Sequence, residues 1–299
     1  MKTLIVGFGS IGSQHYEALL EISKPEDIYI YSRRNLDIEN CISTLEDLDF
    51  DQFDYIILSN ESTLHIEWLR KIENVKTKIL VEKPLFSKKP LDVNFKNKEN
   101  IYIGYYLRIH PLIESLKEIN NLKIQKVEFI NHSWLPDWRS NIDYRKSVSA
   151  KRNLGGGVLN ELSHDLDLAK FLFGEYEMID HALEINEELN LDVYDSFKGE
   201  SVTKKDEIKI EFSLSMALKK IEKCIKIYTK DNCYTADFIN NTYSSGKDIK
   251  SINNSKSLKK TLLKSQHQRI LNNEVYDLSK FDDGLWLVNL IDGIQKKYA

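Results

Sequence analysis

The first hundred residues alternate short apolar runs with stretches in which apolar positions recur every three or four residues. Leu4-Ile5-Val6, Ile28-Tyr29-Ile30-Tyr31, Tyr55-Ile56-Ile57-Leu58, Lys78-Ile79-Leu80-Val81 and Ile101-Tyr102-Ile103-Gly104 read as strands covered on both faces. A short, weak strand is expected near residues 41–43, and helical periodicity fills 11–22 and 64–72. Strand and helix in alternation predict a parallel sheet with crossover helices. Residues 85–100 fall where a further helix is due, but they are unusually polar for one.

Beyond Pro111 the pattern changes. A helix is predicted over 112–119, a strand over 124–133, a long loop rich in aromatics and charges over 134–157, and a helix over 158–173. From 175 to 238 apolar and polar residues alternate, as in Ile208-Lys209-Ile210-Glu211-Phe212 and Cys224-Ile225-Lys226-Ile227-Tyr228. That period predicts a large, mostly antiparallel sheet with one polar face. Residues 240–271 are polar and poor in large apolar side chains, so loops and weak strands are expected there. An amphipathic helix over 283–297 closes the chain. The expected organisation is an α/β first domain, residues 1–108, and an α+β second domain, residues 109–299. The closing helix packs back on the first domain.

Composition narrows the partners. The length of 299 residues suits two domains, and 41% hydrophobic content supplies their cores. The net charge of −4 is mixed along the chain, with no basic stripe for nucleic acid and no polybasic cluster for an anionic membrane. Cys41, Cys224 and Cys233 form no metal-ligand spacing and no disulfide framework, and a reducing compartment is expected. The opening apolar run is too short for a signal peptide, and no stretch is long enough to span a bilayer. The expected location is the cytoplasm. His15, His65, His132, His181 and His267 show no ligand spacing, so no metal is assigned.

Gly7-Phe8-Gly9-Ser10-Ile11-Gly12 fits G-x-G-x-x-G between the first strand and the first helix. Glycines there permit a tight turn, backbone approach to a pyrophosphate and close helix–strand packing, and the helix N-terminus offers free N–H groups. Gly7, Gly9, Ser10, Ile11 and Gly12 are therefore cofactor-binding candidates, which makes the first domain a Rossmann domain. The second strand ends in Ser32-Arg33-Arg34, where an NAD-preferring site carries a carboxylate for the ribose 2′-hydroxyl. Arginine forks match a 2′-phosphate, so NADP is favoured over NAD.

With that turn in place, Val81-Glu82-Lys83-Pro84 resembles the E-K-P signature of the glucose–fructose oxidoreductase and inositol dehydrogenase (Gfo/Idh/MocA) family. Ser59-Asn60-Glu61-Ser62-Thr63-Leu64-His65 resembles the family's loop after the fourth strand, and Gly104 through Pro111 its interdomain crossover. Gly155-Gly156-Gly157-Val158-Leu159 through His164 and Asp167 resembles its active-site helix. The matches run in order over residues 1–174, and the terminal helix also looks familiar. The resemblance implies hydride transfer between nicotinamide and a sugar, nucleotide sugar or polyol, with a homodimer or homotetramer formed through the C-terminal sheet. It adds Ser59, Asn60, His65, Glu82 and Lys83 to the cofactor site, and gives Lys83 a hydrogen bond to the reacting oxygen. The loop Trp134-Leu135-Pro136-Asp137-Trp138-Arg139 with Asp143-Tyr144-Arg145 is similar to a branch linked to surface-polysaccharide synthesis.

On a helix over 158–173, Leu159, Leu162, Leu166, Ala169 and Phe173 share the core face, and Asn160, His164 and Asp167 line the opposite stripe with Glu161 at its edge. His164 is the candidate base for a hydroxyl proton, oriented by Glu161 or Asp167. Inositol dehydrogenase-like members carry an aspartate four residues before the histidine; here that position is Asn160, an amide suited to substrate hydrogen bonding. Arg108, His110, Trp138, Arg139, Tyr144, Arg145 and Asp167 are substrate-contact candidates, since aromatic faces stack on sugar rings and arginines grip carboxylates or phosphates. Two other readings remain: a ligand-sensing or regulatory protein that binds NAD(P) without turnover, and a reductase of a non-sugar carbonyl or imine.

Overall fold

Thr3–Val6 (β1), Tyr55–Leu58 (β4) and Lys78–Val81 (β5) are buried almost end to end, as parallel strands covered on both faces must be. The computed structural model describes residues 1–34, 36–45, 48–139, 141–252 and 258–298, excepting the side chains of 120 and 121. With Ile28–Tyr31 (β2), Cys41–Ile42 (β3) and Ile101–Ile103 (β6), these strands form an all-parallel sheet of order β3-β2-β1-β4-β5-β6. That is the doubly wound Rossmann order, which reverses between β1 and β4. The helix Ser10–Leu19 (α1) follows β1, and His65–Lys71 (α2) follows β4.

Residues 85–100 form no α-helix. Leu85, Phe86, Phe95 and Asn97 are buried, but they are spaced to fit an irregular segment. The Asn97 amide donates to the Ile72 and Val75 carbonyls at 3.0 and 3.2 Å, doing in side-chain bonds what a ladder would do.

The second sheet has eight strands in the order β14-β13-β12-β11-β7-β10-β9-β8. They are Ile124–Trp134 (β7), Tyr176–Glu184 (β8), Ser196–Thr203 (β9), Lys209–Ser215 (β10), Ala217–Thr229 (β11), Cys233–Asp237 (β12), Thr242–Ser245 (β13) and Asp248–Ser251 (β14). All pairings are antiparallel except β7 with β10. Alternation sets the faces: Val127, Phe129, Ile210, Phe212 and Leu214 are buried, while Lys126, Glu128, Lys209 and Glu211 stand on the other side.

The polar stretch after residue 240 holds more structure than its composition suggests. It contains the β13–β14 hairpin and then a fifteen-residue helix, Leu258–Asn272 (α6); residues 253–257 lie outside the described residues. The buried positions of α6 are Leu262, Leu263, Gln266, His267 and Ile270. They follow a helical stripe, but two of the five are polar, which hides the apolar periodicity. The Lys78 ammonium caps this helix by donating to the carbonyls of Ile270 and Leu271 at 2.9 and 2.8 Å.

The chain divides into two compact units. One takes Met1–Tyr106 and Lys256–Asn289, and the other takes Leu107–Ser255 and Leu290–Ala299. The first unit thus also takes in α6 and the start of the last helix, Phe281–Lys296 (α7). No helix among the described residues is long and apolar enough to cross a membrane.

In the second unit His110 caps the helix Pro111–Lys117 (α3), its Nδ1 accepting from the Leu112 N–H at 3.1 Å. Burial, and then the charge of Lys223, pushes the imidazole down from 6.5 to about 4. The unfolded chain therefore takes up this proton first as the pH falls. Stability from the neutral cap should be complete above pH 6.5 and be lost towards pH 4. His110→Asn, whose cap does not titrate, should cost about 1 kcal/mol or less at pH 7 and flatten this part of the denaturation-midpoint curve.

Candidate functional site

At the C-terminal ends of β1 and β4 the parallel sheet changes direction, which is where such folds bind ligands. Gly7 has φ +90°, and a Cβ there would lie 2.7 Å from the backbone N and Cα of Asn60. A Cβ on Gly12 would meet the Gly7 carbonyl oxygen at 2.3 Å. Both positions require glycine. The Ser59 hydroxyl ties the two loops by donating to the carbonyls of Val6 and Gly7 at 3.1 and 2.8 Å.

Helix α1 starts from Gly9 with no side-chain cap and no acidic residue in its first turn. Its leading N–H groups and positive dipole end are thus open to an anion. Beside it, both polar atoms of the Asn60 amide are buried without a hydrogen-bond partner. Such atoms call for a partner. An open helix N-terminus, two glycines held by close contact and an orphaned amide fit a bound dinucleotide.

Around this turn, Ser32 is buried and its hydroxyl accepts from the Arg34 N–H at 3.1 Å. The Arg34 guanidinium donates to the Phe8 carbonyl, and that of Arg33 pairs with Glu61 at 2.7 Å. Ser10 and Ile11 lie in the first turn of α1. His65 is otherwise engaged: its ring nitrogens lie 3.0 and 3.2 Å from the carbonyls of Leu85 and Asn60, and burial pushes its pKa down. It fastens the loop after β4 rather than offering a nitrogen to a ligand. Glu82 likewise turns inward. Its carboxylate lies 3.0 Å from His15 Nε2, with Oε2 3.3 Å from the Lys83 N–H. Lys83 follows β5, and its peptide bond to Pro84 is cis.

In the second unit the helix read over 158–173 is broken at Leu162 into Val158–Glu161 (α4) and Ser163–Phe173 (α5). The break replaces the single polar stripe with polar groups that are nearly all buried: Asn160, Ser163, His164, Asp165 and Asp167. The Asn160 amide donates to the Gly155 carbonyl at 3.0 Å and so helps to hold the turn before α4. Glu161 is half-buried.

Arg108 and Asp167, both expected at the substrate, meet each other. The guanidinium binds the carboxylate in a two-pronged pair at 2.8 and 2.7 Å, with the two side chains 5% and 2% exposed, and it also stacks on Phe171. Asp165, unremarked in the sequence, accepts from the Asn131 amide at 2.7 Å. Among the loop candidates, Tyr144 donates to the Leu189 carbonyl at 3.3 Å, and Arg145 stacks on Tyr144 beside Asp143. Trp138 is half-buried and Arg139 exposed. No cluster of His, Cys, Asp or Glu able to hold a metal occurs among the described residues.

No protein-family model matches the chain, and no curated protein matches its sequence. Solved structures do match. A levoglucosan dehydrogenase in complex with NADH and L-sorbose superposes with a TM-score of 0.76 at 13% identity, over 99% of this chain and 96% of that one. The WlbA dehydrogenase of Bordetella pertussis, in complex with NADH and UDP-GlcNAcA, gives 0.74 at 14% identity over 99% and 94%. A super-repressor mutant of Gal80p from Saccharomyces cerevisiae gives 0.74 at 15% identity over 99% and 95%. At these identities the likeness establishes the fold. The chain is built as those proteins are, from a Rossmann unit and a unit with a large, mostly antiparallel open sheet.

The Arg108–Asp167 pair gives a direct test. Arg108→Ala or Asp167→Ala breaks this buried pair and should cost about 3–5 kcal/mol in urea unfolding. Arg108→Met with Asp167→Leu should cost clearly less than the sum of the single changes.

Proposed function

We propose that the protein is an NADP- or NAD-dependent oxidoreductase acting on the CH–OH group of a sugar, nucleotide sugar or polyol. The observation that carries this is the Gly7–Gly12 turn with its uncapped helix and the orphaned Asn60 amide at the point where the sheet reverses. Support comes from solved neighbours with the same fold whose complexes hold NADH and a sugar or nucleotide sugar. When bound, nicotinamide supplies the hydride acceptor or donor.

The chain's own residues do the rest. The first turn of α1 takes the pyrophosphate on its N–H groups. Ser32, Arg33 and Arg34 meet the adenosine ribose, and for NADP the guanidiniums answer the 2′-phosphate, Arg33 after exchanging its Glu61 partner. Lys83 donates a hydrogen bond to the reacting oxygen and stabilises charge building there. His164 takes the hydroxyl proton during oxidation and returns it during reduction. Glu161 or Asp167, the latter also bound by Arg108, orients the imidazole. Trp138, Arg139, Tyr144 and Arg145 offer stacking and charge to the sugar. Self-association through the polar face of the eight-stranded sheet and a cytoplasmic location complete the proposal.

Nucleotide fluorescence and the nicotinamide absorbance band, read over a panel of sugars and nucleotide sugars, test it. Gly12→Val should abolish binding of NADPH and NADH. Arg33→Ala with Arg34→Ala should weaken NADPH roughly tenfold or more while changing NADH little. Lys83→Met and His164→Asn should each lower kcat by about a hundredfold or more at saturating substrate. Nucleotide binding without turnover on any substrate would favour the ligand-sensing alternative.

A further inference from the structure

Four polar side chains from four separate elements meet in the interior of the first unit. Glu82 Oε1 lies 3.0 Å from His15 Nε2, His15 Nδ1 lies 3.1 Å from His267 Nε2, and His267 Nδ1 lies 3.0 Å from the Tyr55 hydroxyl. His15 comes from α1, His267 from α6, Tyr55 from β4 and Glu82 from the end of β5. Tyr55, His15 and His267 are fully buried, and Glu82 is 6% exposed.

Counting protons gives the chain a direction. A buried hydroxyl must donate, and among the described residues the Tyr55 hydroxyl lies against His267 Nδ1. His267 then carries its one proton on Nε2 and donates to His15 Nδ1. His15 in turn carries its proton on Nε2 and donates to Glu82, which as a carboxylate only accepts. Three links use three protons, and every ring nitrogen is occupied. An imidazolium at His15 would reverse the inner links and strand the Tyr55 proton.

The surroundings agree. Burial pushes the His267 imidazole well below its ordinary value, and burial, with Tyr102 and Glu82 nearby, pushes the Tyr55 phenol well above its own. At Glu82 burial works against ionisation, but the His15 hydrogen bond and the charges of Lys83 and Lys259 prevail and hold the carboxyl below its usual range.

We propose that Tyr55, His267, His15 and Glu82 form a one-way hydrogen-bond chain whose purpose is to aim the Glu82 carboxylate, so that His15 and His267 are positioning residues for Lys83. With Oε1 fixed by His15, Oε2 receives the Lys83 backbone N–H at 3.3 Å and fastens the turn from which the lysine projects. The fit is close: a Cβ on Gly104 would stand 2.5 Å from Glu82 Oε1. This inference rests on the reading of Lys83 as the group at the reacting oxygen, but the chain itself can be read without substrate.

Imidazole ¹⁵N spectra of the full-length protein between pH 6 and 8 should show His15 and His267 both as neutral Nε2–H tautomers. An Nδ1–H tautomer or an imidazolium at either ring would overturn the proposal. In His267→Leu, hydrogen exchange at the Lys83 amide should quicken roughly tenfold. His267→Gln, which keeps one donor and one acceptor, should restore the slow exchange. Unchanged exchange in the Leu variant would refute the positioning role. If the protein also turns over substrate, kcat should fall and recover in step with exchange while nucleotide affinity stays constant. Correct tautomers and exchange in a protein without turnover would leave the chain standing and remove only the function proposed for Lys83.

Discussion

The backbone of Gly7 lies against that of Asn60, and much of the first unit is arranged to keep it there. A side chain at position 7 would clash with both N and Cα of residue 60. The contact draws the ends of β1 and β4 together where their following helices part. Ser59 reinforces it through two carbonyls, and His65 anchors the far side of the loop on Leu85. The first turn of α1 is consequently fixed with its N–H groups uncapped. A ligand that accepts those hydrogen bonds meets donors already in place, so little ordering entropy opposes its binding.

The protein also invests an unusual amount of polar chemistry in its interior. Isolated, each of Glu82, His15, His267, Arg108, Asp165 and Asp167 would cost several kcal/mol to bury. Each has a partner, and the partners are specific in geometry: a two-pronged guanidinium pair, an amide on a carboxylate, a chain of ring nitrogens. Such groups contribute less to net stability than apolar side chains of the same volume. Their effect is on uniqueness, because a slipped packing leaves a charge or a donor unanswered.

Legibility in the sequence followed the kind of burial. β2, β4 and β5 stand at the residues expected, because a strand covered on both faces writes a continuous apolar run. The alternating strands of the second sheet were equally plain, though not the parallel pairing of β7 with β10, which rests on contacts far apart in sequence. Helix α6 escaped because Gln266 and His267 occupy its buried stripe. The break at Leu162 escaped because Leu159, Leu162 and Leu166 keep helical spacing on either side of it. The glycine turn was legible as a motif, since close backbone approach leaves glycine as its only solution. The inward turn of Glu82 was not, since nothing local distinguishes a carboxylate that faces a ligand from one that faces a histidine 252 residues from its next partner.

That last contrast bears on how a polar residue beside a ligand-binding turn should be weighed. Glu82, His65, Arg108 and Asp167 all looked like ligand contacts from their position in the chain, and each is committed to another protein group. Asn60 is the opposite case, an ordinary amide left with two buried atoms and no bond. A group whose hydrogen bonds are met must exchange a partner before it can hold a ligand, whereas one whose bonds are missing calls for a partner outright. By that criterion, the Asn60 amide and the open end of α1 mark where a partner is called for, while the Glu82 carboxylate is already turned towards His15.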